Sequence, residues 1–372
     1  MATGHSRRPA CARPRAARKL AFVNYRLDCL RYALTFRTPV RTAHGVWTTR
    51  EGLLVRVRDE MGAAGLGEAS PIAWFGTETI DDTENFCREL GAEVDDARLD
   101  ALPARAACLR GALGAARAMA RAAGEKIRGA AGETNSPVRA KHKHLPVAAL
   151  LPAGRAALAT VMPKAEAGFR TFKWKVGVGA PADELALLDD LCAKLPGGAR
   201  LRLDANGAWD RRAAERWLGR VASLPVEFIE QPIAAGAGGA EDLLLGLAGD
   251  YPTPLALDES VIADGDVERW LNAGWPGFFV IKPALLADPA GALAKLEKAK
   301  ARVVFSSALE TAVGAQAALR HAFAWEGEPR ALGFGVWPLF QDTRCDGPPA
   351  APFLHAAEVD RLNPEAVWTA LS

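Results

Sequence analysis

The sequence lacks any excess of charge of one sign. Its 46 Lys and Arg against 44 Asp and Glu leave a net charge of +2. Beyond the first twenty residues no basic face or aromatic–basic repeat recurs, so nucleic acid is not an expected partner. No apolar run is long enough to span a bilayer, and no membrane association is expected. Cysteine is sparse: Cys11, Cys29, Cys87, Cys108, Cys192 and Cys345 lie far apart with no C-x-x-C pair. That spacing suits free thiols in a reducing compartment, not a disulfide framework or a zinc site. Also missing are G-x-G-x-x-G on the first α/β strand, a P-loop, H-E-x-x-H and G-x-S-x-G, which weighs against dinucleotide binding and the commoner hydrolase sites.

What remains is a chain of 372 residues, 49% hydrophobic and 24% charged, long enough for one large domain or two ordinary ones. Residues 1–19 are basic, rich in Ala and Arg, and free of acids. They have no apolar core and so are not a secretory signal. They read as a disordered tail on a cytoplasmic protein, with a plastid transit segment as the alternative. Residues 20–143 read as an α+β module: strands over 20–67, a polar loop "TPVRTAHGVWTTR" between the first two, then Ala-, Leu- and Arg-rich helices. Residues 124–146, including "RAKHKH", read as a polar linker. His142 and His144 in it lack acidic or cysteine companions and are expected in a solvated loop.

From residue 144 to 345 short apolar strands alternate with amphipathic helices. Eight strand candidates occur, at 146–151, 171–176, 200–204, 226–230, 254–258, 277–282, 302–307 and 331–335. Between them, Asp210 is an N-cap candidate, with Ala214, Trp217, Leu218 and Val221 on one helix face. An open doubly wound sheet and a closed barrel both fit this alternation.

The polar residues collect at strand ends. Lys173 and Lys175 share one face of strand two; strands three, four and five end in Asp204, Glu230 and Asp258, and strand six in Lys282. One acid at a strand end is usually a helix cap or turn former. Three on consecutive strands, flanked by lysines, would repel one another unless a divalent cation relieves them. Oxygen ligands suit magnesium, with manganese as the alternative. A lysine set among other cations is expected to have a depressed pKa and to take a proton near neutral pH. Lys175 is the expected base, and Lys173 an outer member beside the metal ligands.

The set "KWK", "LDANGAW", "FIEQP", "LDES", "VIKP" and "SSALETAVG" resembles the enolase superfamily, in its muconate-lactonizing subgroup. The resemblance runs from about residue 24 to residue 345 and includes "GEASPIAWFGTET" (67–79), which looks like a loop that closes over substrate. It implies a (β/α)7β modified TIM barrel, an α+β capping domain, and a C-terminal segment (346–372) returning to the cap. It implies metal ligation by Asp204, Glu230 and Asp258, Lys175 as base, and Lys282 opposite. The implied activity is loss of water from a small carboxylate, 2-succinyl-6-hydroxy-2,4-cyclohexadiene-1-carboxylate, to give 2-succinylbenzoate in menaquinone or phylloquinone synthesis. The same groups could racemise an N-acylamino acid, epimerise a dipeptide or cycloisomerise muconate; a barrel that binds without catalysis is the alternative of another class. Expected substrate contacts are Ser306, Ser307, Gly333 and Gly335 at strand ends, Trp74 and Phe75 over the ring, and Arg202 and Asn206 beside the metal strand. Oligomeric state is not legible.

Overall fold

The computed structural model describes residues 24–42, 45–127 and 140–372; the basic tail read over 1–19 lies outside the described residues. Strands β1 (Asn24–Thr42) and β2 (Gly45–Asp59) pair as a long antiparallel ribbon. The loop expected between them is mostly strand: Val40 faces Trp47, with a register shift between Thr35 and Val40. Its β-branched and aromatic residues can pair across the ribbon, which outweighs their polar neighbours. Strand β3 (Ala64–Ala69) flanks β2, and β4 (Glu93–Asp95), not foreseen in the sequence, flanks β1.

Helix α1 (Ile80–Leu90) starts at a capping box made by Thr79 and Asp82. After the short α2 (Asp96–Asp100), helix α3 (Ala107–Ile127) crosses the sheet, burying Cys108, Leu109, Ala112, Leu113 and Ala116. Glycine on β3 permits this crossing, since a Cβ at Gly67 would fall on the Ala112 carbonyl.

The second unit is a parallel sheet in strictly sequential order. Its strands are β6 (Ala149–Leu151), β7 (Thr171–Lys175), β8 (Arg200–Asp204), β9 (Val226–Glu230), β10 (Leu255–Leu257), β11 (Phe278–Ile281) and β12 (Arg302–Phe305). The helices between and after them are α4 (Ala157–Glu166), α5 (Pro181–Lys194), α6 (Arg211–Val221), α7 (Ala240–Asp250), α8 (Asp264–Asn272), α9 (Pro289–Lys298) and α10 (Ala312–Ala324). Residues 331–335, expected as an eighth strand, form no regular strand. Leu332 bridges to Val147 and Gly333 to Ser306, both in parallel sense, so this segment closes the ring between β12 and β6. The first expected strand is divided: β5 (His144–Pro146) pairs with β13 (Phe353–His355), and only β6 enters the barrel. Of the expected solvated loop, Lys141, Lys143 and His144 are exposed, His144 on β5, and His142 is half-buried. Lys141 donates its N–H to the Phe323 carbonyl at 2.7 Å, and the His142 ring contacts the Trp325 carbonyl at 2.9 Å.

Alternation along each strand separates two cores. Phe228, Ala256, Phe278, Val280 and Val304 fill the barrel interior. Trp174, Leu201, Leu203, Ile229 and Leu257 point the other way, into the layer of helices. Helix α6 behaves as read: Asp210 accepts the Ala213 N–H at 2.8 Å, and Ala214, Trp217, Leu218 and Val221 are buried. At the C-terminus come α11 (Ala356–Asp360) and α12 (Pro364–Leu371). Arg56 of β2 pairs with Glu365 of α12 and stacks 4.2 Å over the Trp368 ring.

A buried carboxylate ties the two units. Glu68 of β3 accepts from the Tyr32 hydroxyl (2.6 Å), from the Thr311 N–H (2.9 Å) and hydroxyl, and from the Gly314 N–H (2.9 Å). The Thr311 and Gly314 N–H groups are the N-cap and first-turn donors of α10 that have no partner within the helix, where a negative charge also meets the positive helix end.

Adding one methyl at the α3 crossing tests the close approach. Gly67→Ala should lower unfolding stability by about 1–3 kcal/mol, read by urea denaturation. An unchanged midpoint would show that helix and sheet are not in backbone contact there.

Candidate active site

Lys175, Asp204, Glu230, Asp258 and Lys282 sit at the C-terminal ends of their strands, with Lys173 two residues below Lys175, and sheet order fixes which neighbour each meets. Lys175 is in register with Asp204, and Asp204 with Glu230. Asp204, Glu230 and Asp258 are all buried. Lys173 Nζ lies 3.0 Å from Asp204 Oδ2 and 2.7 Å from Glu230 Oε1. Lys175 Nζ lies 3.5 Å from the same Asp204 oxygen and 2.5 Å from Asn206 Oδ1. Lys282 pairs with Asp258, four strands away from Lys175 around the barrel.

Backbone strain holds the turns in place. Asn206 has φ of 44° and Gln231 φ of 38°, both in the left-handed region. Asn206 donates to Glu259 Oε1 at 3.0 Å while accepting from Lys175. The Gln231 amide oxygen accepts the N–H groups of Asp258 (2.9 Å) and Ser260 (3.1 Å), so the end of β9 positions the end of β10.

Four carboxylates, counting Glu259, face three ammonium groups in this mouth. Burial alone would raise the pKa of Asp204, but Lys173 and Lys175 outweigh it and hold that carboxyl below its usual range. Glu230 is pushed up to about 8, first by burial and then by the Asp204 charge. Glu259 is pushed up to about 7 by burial and by Asp258. The depressed lysines expected from sequence are not found at Lys173 or Lys282. Burial lowers both, yet the carboxylates around them outweigh it and raise them.

Among the described residues, no group of three or more His, Cys, Asp or Glu side chains is arranged to hold an ion as the side chains stand. Lys173 lies between Asp204 and Glu230, and Lys282 lies against Asp258. The donor set nonetheless fits a hard divalent cation: oxygen ligands only, carboxyls crowded enough that burial and their neighbours raise Glu230 and Glu259, and a buried Glu259 Oε2 without a hydrogen-bond partner.

Above these charges is a cavity of about 170 Å³, lined by Lys173, Lys175, Asp204, Asp258 and Lys282 on the barrel side. Ser306, Ser307, Gly333, Gly335 and Asn206 line it too, and Trp74 and Phe75 cover it from the cap. The Phe75 ring lies 5.1 Å from Lys282 Nζ, and Trp74 packs edge-on against Trp47 at 4.6 Å. Gly333 and Gly335 leave space that a Cβ would take from Ser306 Oγ and from the Ala148 carbonyl. The Ser307 hydroxyl donates to the buried Glu310 at 2.9 Å.

Arg202 is the exception among the expected contacts. It faces inward below Asp204, paired with Glu227 at 2.7 Å, donating to the Ala331 carbonyl at 2.7 Å, and does not line the cavity. Its place two residues before Asp204 on β8 puts it on the same face but one layer deeper. Val40, Trp47, Leu309 and Leu339 line the cavity and were missed. Trp47 sits in the ribbon misread as a loop, where an aromatic among polar residues was the available signal. Arg50, also missed, is 1% exposed. It donates to Pro71 (2.8 Å), Ser70, Ala308 (3.2 Å) and Leu309 (3.2 Å) carbonyls, joining the cap turn to the loop after β12.

Residues 155–351 match the family described as enolase C-terminal domain-like. The chain belongs to the enolase superfamily. It is 39% identical, over 82% of its length and 90% of the relative's, to an o-succinylbenzoate synthase of Thermosynechococcus vestitus. It is 31% identical to a hydrophobic dipeptide epimerase of Roseobacter litoralis, over 64% of this chain and 69% of that one. Among solved structures it resembles the o-succinylbenzoate synthase from Thermosynechococcus elongatus complexed with magnesium in its active site. That likeness has a TM-score of 0.74 and 35% identity, covering 93% of this chain and 99% of the other. Among the described residues no helix is long and apolar enough to cross a membrane.

Glu310 offers a pH test within this site. Burial pushes its pKa from 4.5 up to about 7. The folded form therefore holds the proton to higher pH than the unfolded chain. Its contribution to stability is greatest at low pH, falls as pH rises from about 4.5 to about 7, and is level above. Glu310→Gln should make the fall of the unfolding free energy over this range, measured in urea, less steep, while Glu230 and Glu259 keep their share. An identical slope in the variant would assign it to other groups.

Proposed function

We propose that the chain catalyses the o-succinylbenzoate synthase reaction: loss of water from 2-succinyl-6-hydroxy-2,4-cyclohexadiene-1-carboxylate to give 2-succinylbenzoate. The observation that carries this reading is the aromatic cap turn, whose Trp74 and Phe75 cover a cavity lined by Lys175, Lys282, Asp204 and Asp258. The 39% identical synthase supports it. Asp204, Glu230 and Asp258 would hold a divalent ion, magnesium or manganese. When bound, that ion supplies positive charge to the substrate carboxylate as its neighbouring carbon loses a proton.

The protein groups do the rest. Lys175 takes the proton from the carbon bearing the carboxylate. The resulting ammonium, still on the same face, gives a proton to the departing hydroxyl, so the C–O bond breaks and water leaves. Asn206, bonded to Lys175 Nζ, fixes the direction of that amine. Lys282 stays charged and offers its ammonium to the carboxylate side. Phe75 lies close to it and excludes water. Aromatisation drives the reaction, so little beyond stabilising the deprotonated intermediate is required of the protein.

A second reading is racemisation or epimerisation of an acylated amino acid. The two-lysine geometry favours it, because each lysine could serve one face, and the 31% identical epimerase supports it. Incubation with the cyclohexadiene substrate and with N-succinylamino acids separates the two by kcat/KM. Preference for the cyclohexadiene is expected; preference for the amino acids would overturn the proposal. Lys175→Ala should lower dehydration by at least about 10³-fold. Near-normal turnover would remove Lys175 from the role of base.

A further inference from the structure

Two of the scattered cysteines meet in the fold. Cys29 lies on β1 and Cys87 on α1, 58 residues apart in the chain, with their Sγ atoms 2.7 Å apart. Cys29 is exposed and Cys87 is buried among Leu27, Phe86, Leu90 and Val94. A disulfide bond is about 2.05 Å long, so closing this pair needs only a small movement of the sulfurs. The other described cysteines are placed differently. Cys108, on α3, is buried beside the Leu285 carbonyl, Cys345 is buried, and Cys192 lies on the outer helix α5.

We propose that Cys29 and Cys87 form a reversible disulfide that clips α1 to the cap sheet when the protein meets a small disulfide oxidant. Exposure makes Cys29 the entry point. Its thiolate attacks the oxidant disulfide, forming a mixed disulfide and releasing one thiol. Cys87 loses its proton and attacks the Cys29 sulfur, releasing the second thiol. Two protein thiols and one oxidant disulfide thus give one protein disulfide and two small thiols.

The clip has a structural consequence. Helix α1 begins at the Thr79 capping box, four residues after Phe75, and Arg31 of β1 already bridges to Asp81 (2.7 Å) and Glu84 (3.0 Å) on its first turns. A covalent bond one helical turn beyond Glu84 would brace the helix on which the covering turn 73–75 depends. Oxidation would act on the cap and leave the barrel carboxylates and lysines untouched.

The test uses the full chain with oxidised glutathione as the probe. Peptide mapping by mass spectrometry should find a Cys29–Cys87 crosslink. Two of the six thiols should be lost to alkylation, the unfolding temperature should rise by several degrees, and dithiothreitol should reverse all of these changes. Cys29→Ser should abolish the crosslink, and as an exposed site it should leave the fold intact. A Cys29–glutathione adduct that persists without a crosslink would overturn the proposal. So would full retention of all six thiols, or a crosslink with no change in unfolding temperature, which would deny the bracing role.

Discussion

Burying several carboxylates at one end of a barrel is the constraint from which the rest follows. Each loses hydration, and each raises the cost of ionising the next. Asp204, Glu230, Asp258 and Glu259 all meet this cost, and Glu230 shows it directly in its raised pKa. The chain answers with ammonium groups. Lys173 sits between two of the acids and Lys282 against a third. This explains why a buried strand carries two lysines on one face: the next strands end in acid. The crowded carboxyl oxygens, two of them with raised pKa, are what make the place suit a small, hard cation.

Such a cluster needs a rigid frame, and much of the remaining polar chemistry supplies one. Gln231 ties β9 to β10 through backbone N–H groups, and Asn206 ties the Lys175 amine to Glu259. Glu68 and Arg50 do the same between the two units. One satisfies the first turn of α10 from the cap sheet, and the other gathers carbonyls from the covering turn and from the loop after β12. The cavity is therefore walled by elements joined to one another through buried hydrogen bonds, the kind of preorganised frame that electrostatic catalysis uses.

Period and composition made most of this legible. The strand rhythm, the lysine pair and the three acids could be read because each strand end is a short apolar run closing on one charge. What was not legible depends on partners distant in the chain. The ribbon around Trp47 looked polar because only cross-strand pairing stabilises it. The segment 331–335 looked like a full strand, yet it makes single bridges, to Val147 and Ser306. Arg202 was misplaced because strand periodicity gives the face of a side chain and not its depth. Arg50 and Glu68 gave no local signal, since the partners that join the two units, Ala308 and Leu309 for one and Thr311 and Gly314 for the other, lie more than 240 residues away.

The central claim is that Asp204, Glu230 and Asp258 act as one charge cluster. Calorimetric titration of the metal-free protein with magnesium addresses it most directly. The account predicts one ion per chain, with binding lost in Glu230→Gln while the folded state persists by circular dichroism. Absence of magnesium binding by the intact chain, or unchanged affinity in the folded variant, would contradict it.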